Sequence, residues 1–405
     1  VSWPGVVIFG LTYVLISARR LQLIGLDRPA AALLGAIGCV AFGVLSPEGA
    51  IEAIDGSTIL LLFGVMGMGT FLSIDGFLEQ LEDRLVAWAR TPTRLLGGVV
   101  WSAGLLSALI TNDAVCVLGA PLLVRIIQRH RLPALPLLLA LATGANTGSV
   151  ATLVGNPQNM LCGALGGLSY AEFALVMTPV AVVGLAINHG LLWSLYARVL
   201  GHTEMASAAA SAIRRPAMVT TFVLLATAAL YSIGTDLAWT AASGFVVLLI
   251  LHRRDTREVW ARIDWSLLVF FCALFVAVAG LMASGAPAVL FERFPLASSD
   301  ASWIGWTRLS AIFLIGSNVV SNVPFILVVR DQMASLPDAR LGWELLAMTS
   351  TFAGNLTLLG SVANVIVAES GREVGGLGFF QHLRVGLPLA LLTTVMGTAW
   401  LIAVR

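Results

Sequence analysis

Polar residues crowd into one apolar neighbourhood of this chain, and that crowding limits what it can become. Between positions 108 and 159 the sequence reads ALITNDAVCVLGAP, a basic break, and then LATGANTGSVATLVGNPQN. Thr, Asn, Asp, Ser and Gly at this density must satisfy one another or line a cavity, because lipid offers their polar groups no partner. Apolar runs of about 14 to 16 residues flank Thr111-Asn112-Asp113, so each arm reaches about 21–24 Å, short of a hydrocarbon core of about 30 Å. The spacing predicts a re-entrant helical hairpin whose tip stops near mid-membrane. The second motif predicts a membrane helix broken at 146–149 and again at 155–159. Helix ends at that depth expose free N–H and C=O groups, from which binding sites in membranes are built.

The pattern returns in the second half. Ser321-Asn322 sits between two further apolar arms, and GNLTLLGSVAN follows at 354–364. Asp55 aligns with Asp264 at an offset of 209, Asn112 with Asn322 at 210, Thr152 with Thr357 and Gly155 with Gly360 at 205, and Pro179 with Pro388 at 209. Offsets that drift so little indicate an internal duplication. The apolar segments fall at about 4–18, 30–45, 58–75, 134–165 and 171–200, then 217–233, 237–251, 266–285, 343–367 and 385–404, with hairpins at 95–127 and 304–335. Each half therefore has five crossings plus a hairpin. Five is odd, so the second copy must be inverted. The expected fold is an all-α membrane protein: a first repeat at 1–200, a linker at 201–216 rich in Ala and Ser, and a second, inverted repeat at 217–405.

Charge orients the layout. All 23 basic residues are Arg, and eighteen of them, including Arg19, Arg20, Arg28 and Arg254, fall on one side of this arrangement against five on the other. The positive-inside rule makes the rich side cytoplasmic and places the N-terminus outside, in a multi-pass protein of the cytoplasmic (inner) membrane. Segment 76–94 alternates apolar and charged positions at helical spacing and reads as an interfacial helix.

Composition narrows the function. With 58% hydrophobic and 11% charged residues among 405, this is an integral membrane protein surrounded by lipid, and a net charge of +1 gives no footing for nucleic acid. No phosphate loop, HExxH motif, catalytic dyad or metal-ligand set is visible, so the sequence points to no enzyme and calls for no cofactor or metal. Energy from ATP would need a separate cytosolic ATPase subunit. Cys39, Cys116, Cys162 and Cys272 are scattered without CxxC spacing and read as small buried hydrophobes. The chain begins at Val1 without an initiator Met, and its first eighteen residues show no leader cleavage site.

The polar motifs supply the candidate site. An Asn offers donors and acceptors together, and a hydroxyl offers one donor with acceptor capacity. Thr111, Asn112, Asn146, Thr147, Ser149, Thr152, Asn156 and Asn159, with Ser321, Asn322, Asn355, Thr357, Ser361 and Asn364, would ring a small polar solute. The competing role for each hydroxyl is to cap a broken helix or satisfy a freed carbonyl. Asp113 breaks the duplication, because Val323 stands in its place in the second half. A carboxylate at membrane depth is costly when ionised, which makes Asp113 the candidate carrier of a proton or cation, against a bland role as the partner of an Arg or a helix end. Asp55 and Asp264 precede apolar segments and read as N-caps. His189 reads as a satisfied core residue.

TNDAVCVLGAPL at 111–122, GANTGSVATLVGNPQNML at 144–161, and SNVPF with GNLTLLGSVANVIV in the second half resemble the ion transporter superfamily, and within it the arsenite permease (ArsB) / NhaD-like branch. The likeness covers nearly the whole chain. It implies an inverted-repeat carrier with scaffold and transport regions, moving as an elevator and often assembled as a homodimer. It also implies efflux of arsenite or antimonite in exchange for protons; a ring of neutral Asn, Thr and Ser suits the three hydroxyls of uncharged arsenite. The superfamily's carboxylate carriers typically carry Ser-Asn-Thr at both tips, and this chain does not. An inorganic-anion or carboxylate carrier and a sodium/proton antiporter remain open alternatives.

Overall fold

Among the described residues, each predicted apolar segment is helical, those at 134–165 and 343–367 as two helices with a break between them. The computed structural model describes residues 2–17, 27–201, 214–296 and 302–405, and no strand occurs among them. Val1, Arg19, Arg20 and most of the linker predicted at 201–216 lie outside the described residues. The first half comprises α1 (Trp3–Ser17), α2 (Arg28–Ala41), the short α3 (Pro47–Glu52), α4 (Gly56–Ile74), α5 (Phe77–Ala89), α6 (Pro92–Leu109), α7 (Asn112–His130), α8 (Ala134–Gly148), α9 (Pro157–Gly166) and α10 (Tyr170–Leu200). The second comprises α11 (Arg215–Ser232), α12 (Leu237–His252), the short α13 (Thr256–Trp260), α14 (Trp265–Ala283), α15 (Ala286–Arg293), α16 (Trp303–Val320), α17 (Asn322–Met333), α18 (Ala339–Leu356), α19 (Val362–Ser370) and α20 (Phe379–Val404). Among the described residues, five spans are long and apolar enough to cross a membrane: α4, α8 with the turn that follows it, α10, α14 and α20.

The boundaries follow local chemistry. Asp55 and Asp264 are N-caps, accepting from the amides of Thr58 at 2.6 Å and Leu267 at 3.1 Å. The predicted interfacial segment is α5, which buries Leu78, Val86 and Ala89. Pro179 and Pro388 sit inside α10 and α20, the last helix of each half.

The helices carrying the polar motifs pack on one another: α6 on α8, α18 on α20 and on α16, α7 on α19, and α9 on α18. Of the span formed by α8 and its turn, 89% is buried against 39% for α10, so α8 is encircled by protein. Small residues let it approach so closely. A Cβ on Gly148 would lie 2.2 Å from the Cα of Gly104 on α6, so any larger residue would force the two helices apart. The remaining helices flank this assembly, α1 and α2 on α14, and α12 on α4 and α11. There Asp75, at the end of α4, accepts from Thr220 at 2.6 Å and meets His252 at 2.9 Å.

Two details depart from expectation. The arms of the first hairpin are longer than predicted, α6 and α7 having 18 and 19 residues, whereas α16 and α17 have 18 and 12. Arm length therefore does not by itself mark re-entry; what the two tips share is a contact with a broken helix. The first broken helix also has one interruption rather than two. Asn146 and Thr147 are fully helical, because α8 runs on to Gly148 and into a 3-10 turn at Ser149–Ala151 before the chain extends.

Candidate functional site

The site is assembled from the two tips and the two breaks. Thr111 has extended backbone and caps α7, its Oγ1 accepting from the Ala114 amide at 3.2 Å. The Asn112 amide then donates to the carbonyl of Gly155 at 2.9 Å, tying the first tip to the first break. At the second tip, Asn322 Nδ2 donates to the carbonyl of Gly360 at 3.2 Å. Gly155 and Gly360 are the glycines that align in the duplication. Each must lack a side chain, since a Cβ would meet the Ser149 carbonyl at 2.1 Å or the Ala353 carbonyl at 2.8 Å.

Helices that stop inside a membrane leave carbonyls to be satisfied. Asn159 Nδ2 donates to the carbonyls of Ser149 at 3.2 Å and Thr152 at 2.9 Å; Asn364 Nδ2 donates to those of Gly354 at 2.7 Å and Thr357 at 3.2 Å. Each Asn thus reaches back ten and seven residues to the helix that precedes its own. Across the centre the halves exchange bonds. Asn146 Nδ2 donates to Asn364 Oδ1 at 2.9 Å, and Thr351 Oγ1, its counterpart at an offset of 205, donates to Asn159 Oδ1 at 3.0 Å. Ser361 Oγ donates to Asn146 Oδ1 at 3.1 Å, and Asn156 Nδ2 donates to Thr351 Oγ1 at 3.1 Å.

This network fixes which way the amides point. Carbonyls only accept, so the Nδ2 of Asn364 is settled by Gly354 and Thr357, and its Oδ1 must accept from Asn146 Nδ2. Asn146 Oδ1 therefore accepts from Asn112 Nδ2 at 2.8 Å. The Oδ1 atoms of Asn112 and Asn322 are left over, both buried and without a partner.

Asn112 and Asn322 line one cavity of about 350 Å³, together with Asp113, Ser321, Thr357 and Ser361. Its far wall is α1 and α14, through Tyr13, Phe270 and Leu274, with Arg28 from the start of α2. The Tyr13 hydroxyl donates to the Val319 carbonyl, joining α1 to the second hairpin. Asp113 is partly buried and faces the Ala363 amide in the first turn of α19. It is thus a helix-end partner as well as the one carboxylate of the duplicated motifs. Thr111 lies in the wall of a second cavity of about 300 Å³, which also contains Asp113.

The remaining predicted residues stand behind the wall. Asn146, Thr147, Ser149, Thr152, Asn156, Asn159, Asn355 and Asn364 form the buried scaffold of the breaks; Asn355 Nδ2 donates to Thr147 Oγ1 at 3.0 Å, and Thr152 Oγ1 to the Ala108 carbonyl at 2.7 Å. Cys116 and Cys162 are buried free thiols outside both cavity walls. Sequence reasoning missed Ser317, Asn318 and Gln158 in the wall, and Thr351 and His382 in the network. A search for identical residues at a fixed offset passes over them, since Thr351 aligns with Asn146, Asn318 with Ala108 and His382 with Phe173. His382 is fully buried, its Nε2 donating at 2.9 Å to the Asn355 carbonyl near the end of α18.

Comparisons with known proteins agree in class. A family model described as CitMHS, citrate transporter, matches residues 13–353. The chain is similar to the silicon efflux transporter LSI3 of Oryza sativa subsp. japonica, at 32% identity over 97% of this chain and 96% of that protein. It is 24% identical, over 92% of its length and 86% of the other, to a Dictyostelium discoideum chain provisionally named transporter arsB. Among solved structures the YdaH transporter of Alcanivorax borkumensis matches with a TM-score of 0.54 and 16% identity, covering 99% of this chain and 96% of that one, a likeness of fold.

Proposed function

Because this chain belongs to the citrate transporter family, we propose that it is a secondary carrier exporting a small uncharged hydroxide, arsenite or antimonite, in exchange for protons across the cytoplasmic membrane. The observation that carries this reading is the pair of unpartnered acceptors, Asn112 Oδ1 and Asn322 Oδ1, in residues that line one cavity. Buried acceptors ask for a ligand that donates, and leaving them unmade costs about 1–3 kcal/mol each. A trihydroxide brings three O–H donors and no charge. A tricarboxylate brings mainly acceptors, and Asp113 in the same wall would repel it. The named function of LSI3 is in keeping, since silicic acid is also an uncharged hydroxide.

Asp113 is the coupling group in this reading: protonated with the site empty, ionised when the solute is bound, so that export of one is linked to import of the other. The exchanged bonds between 146, 159, 351 and 364 support a pseudo-two-fold relation between residues 1–200 and 217–405, because i touching j while j touches i is the mark of a two-fold. With the Arg asymmetry this favours inverted halves and an N-terminus outside. A carboxylate carrier is the second reading, favoured by the family's description and by Arg28 in the cavity wall.

The test is flux in reconstituted vesicles with an imposed pH gradient, comparing arsenite, silicic acid, citrate, sulfate and sodium. Arsenite should accumulate against its gradient in the wild type, and Asp113→Asn should abolish accumulation while sparing arsenite–arsenite exchange. Citrate transported in place of arsenite would overturn the substrate assignment; Asp113→Asn concentrating arsenite as well as the wild type would overturn the coupling assignment.

A further inference from the structure

Asp113 stands in the walls of two cavities at once. The second, of about 300 Å³, lies between α4, α7, α14 and α19 and shares Leu267 and Val362 with the first as well as Asp113. Its wall includes Arg262 and Asp264, exposed residues at the start of α14, and Asp113 and Thr111 from the tip of the first hairpin. Ser73 and Thr70 are one helical turn apart on α4, so they fall on the same face of that helix, and both line the cavity. The rest of the lining is apolar. None of the Asn that ring the solute cavity belongs to it.

We propose that this second cavity is the proton's own passage, a hydrated pocket through which Asp113 exchanges protons with the Arg262 side, releasing there the proton it carries inward, without their passing the solute. The proposal rests on the reading of Asp113 as the coupling group and adds the route. A carboxylate shared by two cavities can exchange protons through one while a solute fills the other. Coupling then comes from the charge of Asp113 acting on the solute site, and the two species need not follow each other through one opening. The groups facing Asp113 fit that task. Asp264 from α14 and Arg262 before it share the pocket's wall with it, Arg28 from α2 shares the solute cavity's wall, α19 offers the Ala363 amide, and Cys116 on α7 itself is buried. The nearest acid of α4, Asp75, is held by Thr220 and His252.

Gly69 makes the route testable. It lines the second cavity and not the first, and a Cβ there meets nothing within 4 Å, so a side chain at this position starts into open space. In vesicles, Gly69→Phe should lose pH-gradient-driven arsenite accumulation but retain arsenite–arsenite exchange, and Gly69→Ala should keep both. Accumulation by Gly69→Phe at the wild-type level, or equal loss of exchange, would overturn the proposal. In a cysteine-free background Gly69→Cys should react with a membrane-impermeant thiol reagent applied from the Arg262 side. No reaction would mean a dry or lipid-filled cavity and would overturn it too. A wild type that shows no pH-driven flux would instead sink the coupling assignment itself, and the labelling result would still report whether the pocket is wet.

Discussion

The two hairpin tips occupy equivalent places in the duplication but are built differently. The first is closed by its own residues: Thr111 caps α7, and across from it Asn156 caps α9, accepting from the Asn159 amide at 2.8 Å. The second has neither cap. Ser321 makes no side-chain bond and sits at φ 71° and ψ 148°, a region that costs a non-glycine residue about 1–3 kcal/mol. Ser361 spends its hydroxyl on Asn146 in the other half, and the start of α19 is faced by Asp113 from the first hairpin. One half thus carries the charge and the other carries the strain. Similar sequence motifs can thus hold a ring of amides across the centre while their two tips differ, one bearing a carboxylate and one a strained backbone.

The largest effect should come from moving the charge. Asp113→Val copies the second tip into the first and should abolish pH-driven accumulation in vesicles. If the halves are related by a two-fold, the swap of Asp113→Val with Val323→Asp should recover measurable accumulation, whereas Val323→Asp alone should not improve on the wild type. A swap as inactive as the single variant would break the comparison.

Next in size is the centre. Asn146 donates to Asn355 and Asn364 and accepts from Asn112 and Ser361, whereas its counterpart Thr351 meets Asn156 and Asn159 of the other half and shares its one proton with the Ala347 carbonyl of its own helix. Asn146→Ala should destabilise the protein by about 3–5 kcal/mol and Thr351→Ala by about 1–2 kcal/mol, from the number of buried partners stranded. Thermal unfolding in detergent reads the order, and equal losses would remove the asymmetry.

A smaller change tests α20 against α10. His382→Phe installs the residue found at the equivalent position, Phe173, and strands the Asn355 carbonyl, at a cost of about 1–3 kcal/mol. His382→Gln keeps a donor and should recover part of that loss; failure to do so would deny the hydrogen bond its role.

The smallest effects belong to the tips. Ser321→Gly should raise stability by about 1 kcal/mol by relieving the backbone, and Thr111→Ala should lower it by about 1 kcal/mol by removing a cap. Same-sign shifts would show that the two tips are not built as described.

Much of this architecture is legible in the amino-acid order alone. Apolar runs, N-caps such as Asp55 and Asp264, and breakers such as Gly155 with Asn156-Pro157 act on their own neighbourhoods, and a duplication repeats them, so helices, hairpins and breaks can be read off in turn. Local signals fail where two local rules compete. Asn146 and Thr147 look like a break because polar residues disfavour a helix in lipid, yet partners from the other half let α8 run straight through them.

What the sequence by itself determined is therefore the set of helices, where they stop and which motifs recur, because those depend on residues a few positions apart. The tertiary structure alone decided which polar residues line a cavity and which face one another. That choice turns on hydrogen bonds between groups some two hundred positions apart, and it divides fourteen similar-looking candidates into a few around the cavities and a larger buried frame. It also placed Asp113 between two cavities, which no local pattern encodes, since α4, α14 and α19 come to its side only when the chain is packed.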